Sequence, residues 1–353
     1  MKKVLIVVSV YRQGERIHPV IPDLASKLDL DLLCVHQMSD RIPWNGKIDM
    51  RKNFHMIYDK YFKQIYQDWK QVDYSKYDAI LFDDCRTKGE EIPYEFIYKE
   101  AKRYNTVIFS SSHGNRDYVG HIYEVDHHKR VFDYCFLFGE WYKQKLDPKH
   151  NKNFLLGGIP SNDTLSNYKD IRTEEYILII TNFLDNERKV FPTVFGDKFV
   201  KEIDLKAIQD KYKKPVVVKI KNRDRHFALG NPYQDDIKFV QSVLKNNGID
   251  GTVVRDVDDD NLLIANAHSV IGVSSTLCFK PIQLGVPTVI INGGGCLGAF
   301  EQFRGLCDTR QVPTILAIEM HSNRDEEYIN SIIEGGINYN STSTFVNNLL
   351  EKI

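Results

Sequence analysis

The run Ile108-Phe109-Ser110-Ser111-Ser112-His113-Gly114-Asn115 drops from apolar residues into hydroxyls, an imidazole and a glycine. A histidine here suits general-base work, because its ordinary pKa lies near operating pH. Gly114 lets a substrate approach bare backbone. The serines are not a nucleophile elbow, since GxSxG is missing. A second rim, SVYRQGERIHP (9–19), offers Gly14 for close backbone approach, with Arg16 and His18 beside it. It lacks GxGxxG, so the dinucleotide fingerprint is absent. An ordinary polar loop ahead of a helix near Pro19 or Pro22 would look the same.

Three further stretches carry charge or bare backbone. VVVKIKNRDRH (216–226) places Lys219, Lys221, Arg223 and Arg225 at alternating positions, on one face for as long as a strand lasts. At a strand's end such cations fit phosphate. SVIGVSST (269–276) ends in Ser274, Ser275 and Thr276 before a new helix, which is an anion-binding arrangement. LGVPTVIINGGG (284–295) supplies Gly293 and Gly294 after a further strand. The acidic run Asp256–Asp260 lacks the glycine and terminal glutamate of an EF-hand loop, so a solvated helix start is expected. In DHHKR (126–130) the adjacent histidines point apart on any regular element; a solvated surface is expected rather than a metal site with Glu124.

These residues all follow short, continuously apolar runs. Such runs recur at 3–10, 31–37, 77–84, 105–112, 133–139 and 153–158, and again at 175–182, 215–222, 251–257, 269–275 and 287–293. Unbroken apolar runs suit strands covered on both faces. Helical stretches such as 93–104 and 235–248 lie between them, which implies parallel sheets. Parallel sheets bind ligands outside the carboxyl ends of their strands. The polar segment 160–174 reads as a linker. The expected architecture is α/β, two tandem Rossmann-like doubly wound domains facing a cleft. The first spans 1–165 and the second 166–330, with 331–353 a C-terminal helix free to pack back on the first domain.

Lys plus Arg (47) nearly cancel Asp plus Glu (48), so no global basic field is available to hold nucleic acid. Cysteines 34, 85, 135, 278, 296 and 307 form no CxxC pair, which argues against a zinc knuckle and for a reducing, cytoplasmic compartment. The apolar start is too short for a signal h-region, and no run approaches the roughly 20 residues of a membrane span.

The ordered string from 255 to 295 resembles the C-terminal domain of GT-B glycosyltransferases. Its pattern is a helix of small residues, Ser-Ser-Thr (274–276), a helix, then Leu-Gly-x-Pro (284–287). The likeness is nearest to the teichoic-acid glycerophosphotransferase and capsular-polysaccharide transferase group, with the UDP-GlcNAc 2-epimerases further off. His113-Gly114 and the Gly158-x-Pro160-x-x-Asp163 stretch are similar to that group's motifs. The resemblance implies His113 and Gly114 as the catalytic pair. Ser274, Ser275 and Thr276 would hold the donor's phosphates, and Gly158 and Asp163 would lie at the hinge. Two departures stand out. Lys280 occupies the place, five before Gly285, where such proteins carry an acid for the donor's ribose, and a cation cannot accept hydrogen bonds from hydroxyls. Of the group's Lys-x-His-Pro, only Lys219 is present.

The expected activity is a cytoplasmic transferase, free or at the inner face of the membrane. It moves a sugar or alditol phosphate from a nucleotide-activated donor to a saccharide acceptor, lipid-linked or free, in cell-surface polysaccharide synthesis. His113 is the expected base. Lys219, Arg223, Ser274, Ser275, Thr276, Gly293 and Gly294 serve the donor's phosphates, and Gly14, Arg16 and His18 the acceptor side. No metal and no cofactor are expected. Two alternatives stand beside it. One is a UDP-sugar 2-epimerase, for which acids such as Asp117, Glu124 and Asp126 would matter. The other is a non-catalytic nucleotide-sugar-binding relative, which Lys280 motivates.

Overall fold

The computed structural model describes residues 1–8, 17–35, 58–83, 92–111, 132–144, 152–181, 195–220, 233–255, 257, 259–273, 276–291, 314–320 and 326–353. The chain divides into two compact units, 1–163 with 330–353, and 164–329.

The first unit holds a parallel seven-stranded sheet. Its strands are β1 (Lys3–Val8), β2 (Asp29–Cys34), β3 (Gln64–Tyr66), β4 (Ala79–Phe82), β5 (Val107–Ser111), β6 (Tyr134–Leu137) and β7 (Phe154–Leu156). Their order is β3-β2-β1-β4-β5-β6-β7. The chain winds outward from β1 in one direction and from β4 in the other, so the order reverses between β1 and β4. Crevices at such switch points receive ligands in open α/β sheets. β1, β2, β4, β5 and β6 are buried beyond their first residues, as the unbroken apolar runs require.

The C-terminal segment completes this unit. Phe345, Val346 and Leu349 of the helix Ser341–Leu350 join the core of β1, β2 and β4. The Phe345 ring stacks on Phe136 with centroids 3.7 Å apart. Burying a phenylalanine contributes about 1.5–3 kcal/mol, and the ring pair somewhat more. Asn348 donates through Nδ2 to the Leu156 carbonyl of edge strand β7, at 2.7 Å.

The second unit repeats the plan with β8 (Tyr176–Thr181), β9 (Val216–Ile220), β10 (Gly251–Val254), β11 (Ala267–Val273) and β12 (Thr288–Ile291). The order is β10-β9-β8-β11-β12, all parallel, with its switch between β8 and β11. Its core includes Phe195, Phe199, Val240, Val243 and Leu244 packed on β8 and β9. The segment read as a linker begins with a 3-10 helix, Pro160–Asn167. No helix among the described residues is long and apolar enough to cross a membrane.

Candidate functional site

At the carboxyl edge of the second sheet, Lys219 is the fourth residue of β9, in a strand with no exposed position. Its side chain is only 10% exposed, so no solvated face accounts for it. A buried ammonium needs a partner, because desolvating a lone charge costs several kcal/mol. Lys219 Nζ lies 3.0 Å from Asp260 Oδ1 and donates to the Arg255 carbonyl at 3.2 Å. Arg255, just past β10, lies 3.6 Å from Asp236. The edge thus holds two cation–carboxylate pairs, Lys219–Asp260 and Arg255–Asp236, linked through the Arg255 carbonyl.

The acidic run before this edge starts a helix, as its sequence suggested. Asp259 caps the helix Asp260–Ala265, its Oδ1 accepting from the N–H groups of Asn261 and Leu262 at 2.9 and 3.0 Å. Its Oδ2 accepts from the Tyr168 hydroxyl at 2.6 Å. Burial pushes the Asp259 pKa up, but the Tyr168 bond, the two helix N–H groups and nearby Lys280 outweigh it, so the net shift is downward. Lys280, on the helix Phe279–Leu284, donates to Asn261 Oδ1 at 2.6 Å, and Asn261 Nδ2 donates to Thr164 Oγ1 at 3.2 Å. The cation standing where the resemblance calls for an acid is therefore engaged by an amide oxygen. Gly285 follows that helix in the left-handed region, at φ 72°, turning the chain toward β12.

At the carboxyl edge of the first sheet, β5 ends in the buried hydroxyls of Ser110 and Ser111. Just past β4 stands Asp83, 1% exposed, its N–H donating to the Val7 carbonyl at 3.0 Å. That backbone bond places Asp83 at the β1–β4 switch point. Asp83 is not among the residues that the sequence motifs single out; its signal in the sequence is an acid closing an apolar run, Phe82-Asp83-Asp84. Ser111 also lines a recess of about 20 Å³ with Phe136, Phe138, Gly158, Pro160 and Phe345. That is room for one water, not a sugar.

His18 opens the 3-10 turn His18–Val20, and its ring lies 4.6 Å from that of Tyr58. Burial lowers its pKa to about 4, so it is neutral near pH 7. It can serve a hydroxyl as hydrogen-bond donor or acceptor, but it brings no charge to an anion.

The Gly158-x-Pro160-x-x-Asp163 stretch holds the C-terminal helix. Asp163 accepts from the N–H groups of Ser341 (3.0 Å) and Thr342 (2.7 Å), and burial raises its pKa despite these bonds. Gly158 sits at φ +60°, and a Cβ there would overlap the Ser341 hydroxyl and the Glu334 carbonyl. Asp163 is also the last residue of the first unit before the chain enters the second.

Thr276 begins the 3-10 turn Thr276–Cys278 after β11. His113, Gly114, Gly14, Arg16, Arg223, Ser274, Ser275, Gly293 and Gly294 lie outside the described residues, as do Lys221, Arg225, Asp117, Glu124 and the 126–130 stretch. Among the described residues no three His, Cys, Asp or Glu side chains gather to hold a metal. Cys34, Cys135 and Cys278 are buried, and no disulfide joins the described cysteines.

No family model and no curated relative matches the chain by sequence. Solved structures match it along its whole length. The UDP-GlcNAc 2-epimerase of Methanocaldococcus jannaschii is 12% identical, covering 99% of each chain at a TM-score of 0.62. That of Neisseria meningitidis, bound to UDP-GlcNAc, is 14% identical, covering 99% of this chain and 100% of its own at 0.54. A glycosyltransferase from Rickettsia africae is 11% identical, covering 99% and 97% at 0.56. At such identities the likeness shows the fold: two Rossmann-like domains of GT-B type.

Proposed function

We propose that the chain is a nucleotide-sugar enzyme whose reaction is epimerisation at C2 of a UDP-sugar. The observation that carries this reading is the likeness, over both units, to structures named UDP-GlcNAc 2-epimerase, one of them bound to UDP-GlcNAc. Inverting C2 breaks a C–H bond and remakes it on the other face. The chemistry needs a group to take the proton, a group to return one, and donors to hold the diphosphate. The segment that follows β5 in sequence carries His113, Asp117, Glu124 and Asp126 for the proton work, and Asp83 adds a carboxylate at the neighbouring strand end. Lys219, Arg223, Ser274, Ser275, Thr276, Gly293 and Gly294 serve the diphosphate. His18, neutral, serves a sugar hydroxyl.

The test is incubation with UDP-GlcNAc in deuterated water, followed by proton NMR. The expected result is a C2 epimer, with deuterium at C2, in the absence of any acceptor. Nucleotide binding without exchange or epimer overturns this reading.

A second reading, transfer to a saccharide acceptor, draws on the glycosyltransferase among the matching structures and on His113-Gly114. There His113 deprotonates the attacking hydroxyl. Full transfer rate in His113→Ala would remove it as the base.

A further inference from the structure

The second sheet has a polar cluster at its amino edge, at the far ends of the strands from Lys219 and Thr276. β11 carries an extra residue there. Ala267 pairs with Tyr176 and Ser269 with Ile177, so His268 stands in a bulge. Bulges re-aim side chains and recur beside binding sites. This one sets the His268 ring against Tyr212, with centroids 4.6 Å apart. Tyr212 closes the helix Leu205–Tyr212, and Lys214 leads from it into β9.

Arg172 comes in ahead of β8. Its Nη1 donates to the Gly285 carbonyl at 3.4 Å, and its Nη2 lies 3.3 Å from Glu174. The charged groups acting on the His268 ring are Glu174, Lys214 and Arg172; Lys211 and Glu319 pair with each other beside Tyr212. Two cations face one carboxylate around the ring.

Three side chains here each have a buried polar atom with no hydrogen-bond partner: Nε of Arg172, the hydroxyl of Tyr212 and Nδ1 of His268. Buried polar atoms are nearly always partnered, so three such atoms in one cluster point to a shared polar ligand. The guanidinium is donor-only, the phenol is a strong donor, and the imidazole donates through Nδ1 in one tautomer and when protonated. A donor set with surplus positive charge is complementary to a tetrahedral oxyanion.

We propose that Arg172, Tyr212 and His268 form a binding site for a phosphate-class oxyanion at the amino edge of the second sheet, with Lys214 supplying additional positive charge. The site is separate from the carboxyl edge and stands whether or not the chain acts on nucleotide-sugars. An occupant bridges the segments that lead into β8 and β9 and the first residues of β11, so it stabilises this unit by mass action.

The experiment is calorimetric titration and thermal unfolding of the full chain with inorganic phosphate, against chloride at equal ionic strength. A second arm uses methyl phosphate as a model monoester. In the parent protein, phosphate is expected to bind saturably and raise the melting temperature beyond the chloride control. Tyr212→Phe, which removes only a hydroxyl, and His268→Gln are each expected to weaken binding at least tenfold. Methyl phosphate binding as tightly as phosphate assigns the site to a phosphoryl group on a larger molecule; phosphate binding alone assigns it to the free ion. Phosphate doing no more than chloride, or binding both variants as it binds the parent, overturns the proposal and leaves bridging water as the occupant.

Discussion

Each unit holds a lysine–aspartate pair with one buried member, and the two pairs sit at opposite edges of their own sheets. In the first, Lys3 opens β1 and reaches Asp31 on β2 at 2.7 Å, and the Tyr77 hydroxyl donates to the same carboxylate at 2.6 Å. In the second, Lys219 pairs with Asp260 at the carboxyl edge. Ligands enter parallel sheets from the carboxyl side. The first pair therefore lies at the edge away from where such sheets receive ligands, and it holds strands together. The second lies where a charge can serve both fold and ligand. The same residue types acquire different work from the end of the strand they occupy.

The sharpest test of that contrast is Asp31→Ala. The carboxylate is fully buried, and its loss leaves the Tyr77 hydroxyl only the longer contact to the Tyr66 hydroxyl at 3.4 Å and leaves Lys3 without its partner. Breaking a buried pair from one side typically costs about 3–5 kcal/mol; Lys3 retains some access to water, so about 3 kcal/mol is expected. Urea unfolding followed by tyrosine fluorescence measures it. UDP affinity of the folded variant should match the parent's; a tenfold loss would mean that the amino edge of the first sheet also serves the ligand.

Histidines extend the comparison to pH. Burial lowers the His18 pKa from 6.5 to about 4. The unfolded chain therefore binds a proton that the native state refuses between those values. Stability from this group is whole above pH 6.5 and is lost as pH falls toward 4. The expected loss across that window is about 2 kcal/mol, after allowing for partial access to water. Chemical denaturation at pH 7, 6, 5 and 4 would reveal it, with His18→Phe as the reference. Equal slopes for both proteins would show that His18 does not resist protonation.

Much of this fold is legible because parallel strands buried on both faces leave unbroken apolar runs. β1, β5 and β8 fall within the runs at 3–10, 105–112 and 175–182. β3, Gln64–Tyr66, escaped the same reading because it is short and exposes Gln64 at the sheet's edge. Of the candidate site, what could be read was position along a strand, as for Lys219 and Thr276. What could not be read was partnership. Asp163 bonds an N–H 178 residues away, and Asp83 becomes notable only when β4 lies beside β1. Such pairings depend on topology, to which local pattern is blind.

The smallest expected effect on stability, and the one that decides how the carboxyl edge works, belongs to Lys219→Met. Methionine keeps the aliphatic bulk of the lysine stem in the buried strand. The partner Asp260 keeps more than a third of its side chain in contact with water, so it rehydrates when the ammonium is gone. The loss should be about 1 kcal/mol, well below that of Asp31→Ala. If Lys219 also contributes charge to a bound diphosphate, UDP affinity should fall about tenfold or more, as expected for losing a charge-assisted bond. Calorimetric titration of both proteins separates the outcomes. Parent-like affinity would mean that Asp260 and the Arg255 carbonyl account for the whole of this lysine's work. The two lysine–aspartate pairs would then differ in place but not in purpose.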